Sequence, residues 1–177
     1  MLRWTLIILG SLIAIVLLIA LVGWVIPREH VAGAELRLNQ NPDTVWSVVW
    51  DVESYPDWWS YISAAEMRRA ADGGTHYVMR DRHGQEVPYE LIESHPPRRL
   101  VMRIADDDLP FGGSWTYEVE PADAGSLVRI TENGTIENPF FRFMARFVFG
   151  YHATIESYLE ALASHFAEEP RLTRVKT

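Results

Sequence analysis

Over much of this chain apolar and polar side chains alternate one by one, and the two ends break that rhythm in different ways. The first break is residues 5–26, TLIILGSLIAIVLLIALVGWVI, 22 positions without a charge. At about 1.5 Å of rise per residue, a helix of that length crosses roughly 30 Å of bilayer hydrocarbon. Arg3 and Trp4 before it, and Trp24, Arg28 and Glu29 at its far end, place aromatic and charged anchors at two interfaces. A cleavable signal is the competing reading. Its apolar stretch is normally about 7–15 residues, and the small-residue site Ala32-Gly33-Ala34 lies beyond Arg28, Glu29 and His30. Residues 1–27 are therefore read as a single-pass transmembrane anchor, touching the lipid bilayer through residues 5–26. The short N-terminal tail favours an inside N terminus, which places the remaining domain outside the cytoplasm.

Residues 31–38 alternate around Ala34, Leu36 and Leu38 and predict a first strand. Asn41-Pro42-Asp43 is a helix start: a capping side chain, proline at the first helical position and an acid in the first turn. A short helix follows through Val45, Trp46, Val49 and Trp50, and Tyr55-Pro56-Asp57-Trp58-Trp59 predicts a second short helix or turn. Six further strands are expected at 64–71, 75–82, 85–94, 99–105, 114–120 and 126–137, separated by Gly, Pro, Asp and His-Gly turn chemistry. Short consecutive strands with tight turns predict an antiparallel meander, apolar on one face and wetter on the other. Asn138-Pro139 repeats the helix-start signal and predicts one long helix over 139–166. Its apolar stripe is widened by Phe140, Phe141, Phe143, Phe147, Val148 and Phe149 beyond an ordinary core face. The soluble domain is thus read as 28–169, followed by a polar tail at 170–177.

Charge narrows the partners. With Arg3 set aside, residues 28–177 hold 15 of the 16 basic residues and all 24 acidic ones, a formal net charge of −9 with a single lysine, Lys176. Nucleic-acid binding needs a basic face to displace counterions, so no nucleic-acid partner is expected. The chain has no cysteine, which excludes disulfides, thiolate metal sites and a cysteine nucleophile. His83 with Glu86 lacks two further ligands, and Asp106-Asp107-Asp108 departs from a calcium loop, so no metal is expected. No phosphate loop, nucleophile elbow or other cofactor motif occurs. Asn133-Gly134-Thr135 formally matches a glycosylation acceptor, but Asn-Gly inside a long strand reads as a bulge or bend.

The order strand, two short helices, six antiparallel strands, long helix carries a resemblance. The residues behind it are Asn41-Pro42-Asp43-Thr44-Val45-Trp46, Tyr55-Pro56-Asp57-Trp58-Trp59, Tyr89-Glu90-Leu91-Ile92-Glu93 with Pro97-Arg98-Arg99-Leu100, Gly113 to Val119, and Tyr151-His152-Ala153 with Tyr158 to Leu162. In this order they resemble the START-like superfamily, also called SRPBCC or polyketide cyclase/dehydratase-like. The resemblance implies an α+β helix-grip domain: a bent antiparallel sheet of about seven strands wrapped around the C-terminal helix, with a cavity between them. It also implies that the cavity takes a hydrophobic small molecule, such as a lipid or quinone. The alternatives are a cyclase or dehydratase acting on such a molecule, and a structural domain whose core is filled.

By parity, the walls of that cavity would include Trp58, Trp59, Met67, Tyr89, Met102, Trp115, Tyr117, Phe143, Phe147 and Tyr151. The competing reading is that these rings fill the core, as stripes at helical or strand spacing usually do. Arg80 or Asp81 could meet a polar head group, against the simpler reading of solvated outer-face charges, which also covers Arg103 and Arg129. Among the histidines, His152 is the one expected near the cavity, whereas His30 lies beside the membrane, His83 in a turn and His95 before two prolines. No catalytic residue is assigned, because no Ser, His and acid stand at triad-like spacing.

Overall fold

The computed structural model describes residues 2–69 and 74–175. The end of the expected strand 64–71, the Asp72-Gly73 turn and Lys176 lie outside the described residues. Helix α1 (Leu2–Val25) leads directly into β1 (Glu29–Leu38). Asn41 then caps α2 (Pro42–Trp50), its Oδ1 accepting the Asp43 N–H at 2.9 Å, and Val45, Trp46 and Val49 form the buried face. After a single 3₁₀ turn comes the one-turn α3 (Tyr55–Trp58), which buries Tyr55.

Six antiparallel strands follow: β2 (Ile62–Arg69), β3 (Thr75–Asp81), β4 (Glu86–His95), β5 (Arg99–Ile104), β6 (Phe111–Ala122) and β7 (Gly125–Ile136). Among the described residues the sheet has eight strands in the order β2-β3-β4-β5-β6-β7-β1-β8, where β8 is Leu172–Arg174. The first and last segments of the domain therefore meet β7 and its neighbours far from their own positions in the chain. Strand β1 runs against β7 from Glu29↔Thr135 to Leu38↔Ser126. Strand β6 begins three residues earlier than its alternation suggests, because Gly112 and Gly113 still pair with Thr135 and Gly134.

Period-two burial separates the two faces. Ala32, Ala34, Leu36 and Leu38 of β1, Leu100 and Met102 of β5, Tyr117 and Val119 of β6, and Val128 and Ile130 of β7 are buried on the inner face. The outer face is a lattice of ion pairs: Arg129 to Glu35 at 2.6 Å, Arg99 to Glu118 at 2.6 Å, Arg103 to Glu90 at 2.8 Å, and Arg80 to Glu86. Such solvated pairs contribute little each. Asp81 caps its own turn instead, accepting the backbone N–H groups of His83 and Gln85. Arg80, Asp81, Arg103 and Arg129 thus have local partners on the outer face or in a turn.

The single helix expected over 139–166 is interrupted. Helix α4 (Pro139–Met144), capped by Asn138, passes into a π-helical turn (Ala145–Phe149), and the helical path ends at Gly150 before α5 (Ala153–His165) begins. Gly150 has φ 78°, a left-handed value that a continuing helix cannot accommodate and that glycine adopts without a Cβ clash. The tail differs too. Leu172–Arg174 add to the free edge of β1, Leu36↔Leu172 to Ala34↔Arg174, and Arg174 forms a two-pronged ion pair with Glu156. An unpaired edge exposes backbone donors and acceptors that a polar extended segment can satisfy.

Candidate ligand-binding site

Helix α5 fills only part of the concave side of the sheet. Ile155, Tyr158, Leu159 and Leu162 are fully buried against it. Where the helix is broken a cavity of about 280 Å³ remains, lined by Trp59, Tyr61, Met79, Tyr89, Phe111, Trp115, Tyr117 and Ile136, with Ala145, Gly150 and Tyr151 along its helical side. A larger groove of about 570 Å³ adjoins it across Ile104, Phe111, Gly112 and Thr135, bounded on its far side by His76, Glu90, Arg103, Asp106, Asp107 and Glu137. Its charged walls suit water better than an apolar guest, whereas the inner cavity has the ring-rich, largely apolar lining of a small-molecule site.

One wall of the inner cavity is polar. His30 Nε2 stands 3.4 Å from Glu132 Oε1, with side chains only 10% and 21% exposed. The imidazole stacks on the Tyr151 ring, centroids 4.1 Å apart and planes 16° from parallel. Gly134, across from His30 in the β1–β7 ladder, makes that packing possible: a methyl group there would run into the imidazole. The Asn-Gly step in β7 is accordingly a clearance for the His30 ring. His30 Nδ1 is buried with no hydrogen-bond partner among the described residues. Such a group is costly to bury alone, and a ligand's polar atom is one way to satisfy it.

Two tyrosines share this environment. Burial, then Asp81 and Glu132, push the Tyr61 hydroxyl up in pKa, although Arg82 over its ring pulls the other way. Tyr89 rises further, through burial first and then the nearby Tyr61 and Glu132. Both therefore stay protonated through neutral pH, as hydroxyl donors beside a histidine and a carboxylate. The arrangement can hold the polar end of a mostly apolar molecule, or move a proton to or from it. Among the described residues no three His, Asp or Glu side chains gather to hold a metal ion.

The structure brings together Trp59, Tyr89, Trp115, Tyr117 and Tyr151 of the residues expected at the cavity. The others lie elsewhere. Trp58 packs edge-on to Tyr55 and Tyr158 and lies near His165, on the far side of the aromatic cluster. Met102 is sealed in the core at 1% exposure, and Met67, on outer strand β2, is exposed. Phe143 stacks obliquely on Phe147, and Phe147 points outward because the π turn rotates it off the helix face. His152 sits half-buried at the start of α5, and His30 takes the place expected of it. Strand parity carries the signal for the polar pair. His30 is in phase with Ala32, Ala34 and Leu36, and Glu132 with Val128 and Ile130.

The model of the family described as polyketide cyclase/dehydrase and lipid transport matches residues 34–167. No curated protein sequence matches the chain. Solved structures share the fold at low identity. A START superfamily protein from Mycobacterium smegmatis is 17% identical with a TM-score of 0.55, covering 77% of this chain and 95% of that one. The di-domain aromatase/cyclase StfQ of the steffimycin pathway is 13% identical with a TM-score of 0.61, covering 78% of this chain and 52% of that one. A Thalictrum norcoclaurine synthase is 16% identical with a TM-score of 0.60, covering 78% and 94%. With the family match spanning most of the helix-grip domain, and START-type structures superimposing on it, this chain belongs to the polyketide cyclase/dehydrase and lipid transport family of the START-like (SRPBCC) superfamily.

Proposed function

We propose that this protein is a membrane-tethered binder of a hydrophobic small molecule with one polar end, of the lipid or quinone kind. The observation that carries the reading is the aromatic cavity with a single polar wall. The apolar body would lie against Trp59, Met79, Trp115 and Tyr117, and the polar end against His30, Glu132 and the two tyrosines. Helix α1, long and apolar enough to cross a membrane, supports the tether, and a tether raises the local concentration of a membrane-borne ligand. Native mass spectrometry of the full chain, released from detergent and followed by solvent extraction, tests both parts. The expected result is one stoichiometric hydrophobic species on a chain whose intact mass retains residues 1–27. A protein with nothing bound, and no uptake of a fluorescent quinone analogue, overturns the binding reading. A mature mass lacking the first segment overturns the tether.

A second reading, an enzyme of the cyclase or dehydrase kind, is favoured by the same His30–Glu132 pair. A buried imidazole beside a carboxylate is a general acid-base couple, and the rings would fold a reactive chain against it. Incubating the chain with a cellular lipid and metabolite extract would then yield a product differing by loss of water. Glu132→Gln would abolish that product while leaving the thermal transition in place. An extract unchanged by the wild-type chain counts against this reading and leaves the binder.

A further inference from the structure

The π turn, Ala145–Phe149, has two unlike sides. Ala145 and the following Gly150 line the cavity, while Phe147, Val148 and Phe149 point away from the protein, 58 to 65% exposed. Phe140 and Phe141 on α4 extend the same patch. A contiguous apolar surface of this kind marks an interaction site. Its position says with what. Helix α1 docks on α4: Gly23 lies so close to the Pro139 carbonyl that a methyl group there would collide with it. Arg142, 4% exposed, reaches back to donate to the Ile26 carbonyl at 2.7 Å and closes the last turn of α1. Arg28 and Glu137 form an ion pair at 2.9 Å across the same junction. The exposed phenylalanines are therefore fixed beside the end of a helix that is apolar on every side. Between Glu137 and Glu156 the chain has no acid, and Arg146 is exposed within the patch, a charge that suits lipid phosphates.

We propose that residues 140–149 form a lip embedded in the same leaflet that α1 enters, so that the rim of the cavity faces acyl chains and its ligand exchanges with the bilayer directly. The proposal rests on the tethered reading and goes beyond it, since a tethered domain can equally stand clear of the surface. The occupant is the lipid bilayer, because whatever surrounds α1 continues over the adjoining patch.

The chain has no cysteine, so single cysteines placed at Val148, at Leu12 in α1 and at the distal turn residue Asp123 can each carry an NBD fluorophore without background. The full chain is reconstituted in vesicles of phosphatidylcholine and phosphatidylglycerol, with and without doxyl-labelled lipid. The expected result is blue-shifted emission and strong doxyl quenching at positions 12 and 148, and neither at 123. Quenching at 12 without quenching at 148 overturns the lip and leaves the tether. No quenching at 12 overturns the tether, and the lip with it. A blue shift at 148 that doxyl lipid does not quench means that protein, such as a second copy of the chain, covers the patch, and this too overturns the proposal.

Discussion

The concave face of the sheet has a solid half and a hollow half, built from the same kinds of side chain. In the solid half Tyr158 of α5 is the hub, with the rings of Tyr55, Trp58, Trp59 and Tyr117 at 5.1 to 5.5 Å and Trp115 at 6.5 Å. Its hydroxyl meets that of Tyr55 at 3.2 Å, and Tyr55 donates onward to the Val49 carbonyl at 2.7 Å. In the hollow half Tyr89, Trp115 and Tyr151 face a space that α5 reaches only in its first turn, through Thr154, because the helix is broken at Gly150. Aromatic content is therefore no guide to a binding site by itself. Trp59, Trp115 and Tyr117 stand on the boundary, packing on Tyr158 on one side and lining the opening on the other, and it is at the opening that the buried His30 Nδ1 lacks a partner among the described residues.

The comparison breaks most sharply at Tyr158. Tyr158→Ala removes a fully buried ring from the solid half and should cost about 3–5 kcal/mol, read as a lower urea midpoint. Tyr151→Ala in the hollow half should cost about 1 kcal/mol, the scale of one lost ring stack. Equal losses would mean that the hollow is an artificial distinction. An effect smaller than that of Tyr158→Ala is expected from Tyr55→Phe. It leaves the buried Val49 carbonyl without its donor and the Tyr158 hydroxyl without its neighbour, for about 1–3 kcal/mol in the same assay.

Alkaline pH sharpens the contrast. Burial, with mutual repulsion in the cluster, pushes the hydroxyls of Tyr55, Tyr117 and Tyr158 well above their ordinary value of 10.0. A group whose pKa is raised on folding contributes stability that is complete below the unfolded pKa and is lost as pH rises above it. Urea midpoints should hold steady below about pH 10 and fall above it. Tyr158→Phe should shallow that fall, and an identical slope in the variant would contradict the assignment. The smallest effect on folding is expected at Glu132. Glu132→Gln should change stability by no more than about 0.5 kcal/mol. It should nevertheless weaken binding of the co-purified ligand about tenfold, equivalent to about 1.4 kcal/mol, in a titration where Arg129→Gln on the outer face has no effect.

Much of this architecture is legible along the chain. Alternation and turn residues place the strands, and the Asn-Pro pairs at Asn41-Pro42 and Asn138-Pro139 start helices where expected. Those signals are local: a cap, a fixed proline φ and a period of two act within a few residues. The excess apolar width around Phe147 is legible as well, and the structure turns it outward. The break at Gly150 was harder to see, because one glycine in a helical pattern carries no sign of whether the helix will tolerate it.

Sequence by itself therefore determined the helix-grip layout and the apolar first helix, while His30, expected beside the membrane, and Glu132 came into view as an inward pair only once β1 was seen to begin at Glu29. Tertiary structure alone decided which inward positions face a neighbour and which face a cavity. His30, Glu132 and Tyr151 meet because β1 pairs with β7 and the helix breaks above them, joining three segments remote in the chain. A void is the space left between such segments, and no local preference encodes it. The strand edge that recruits Leu172–Arg174 has the same origin, since its free donors and acceptors exist only once the sheet has formed.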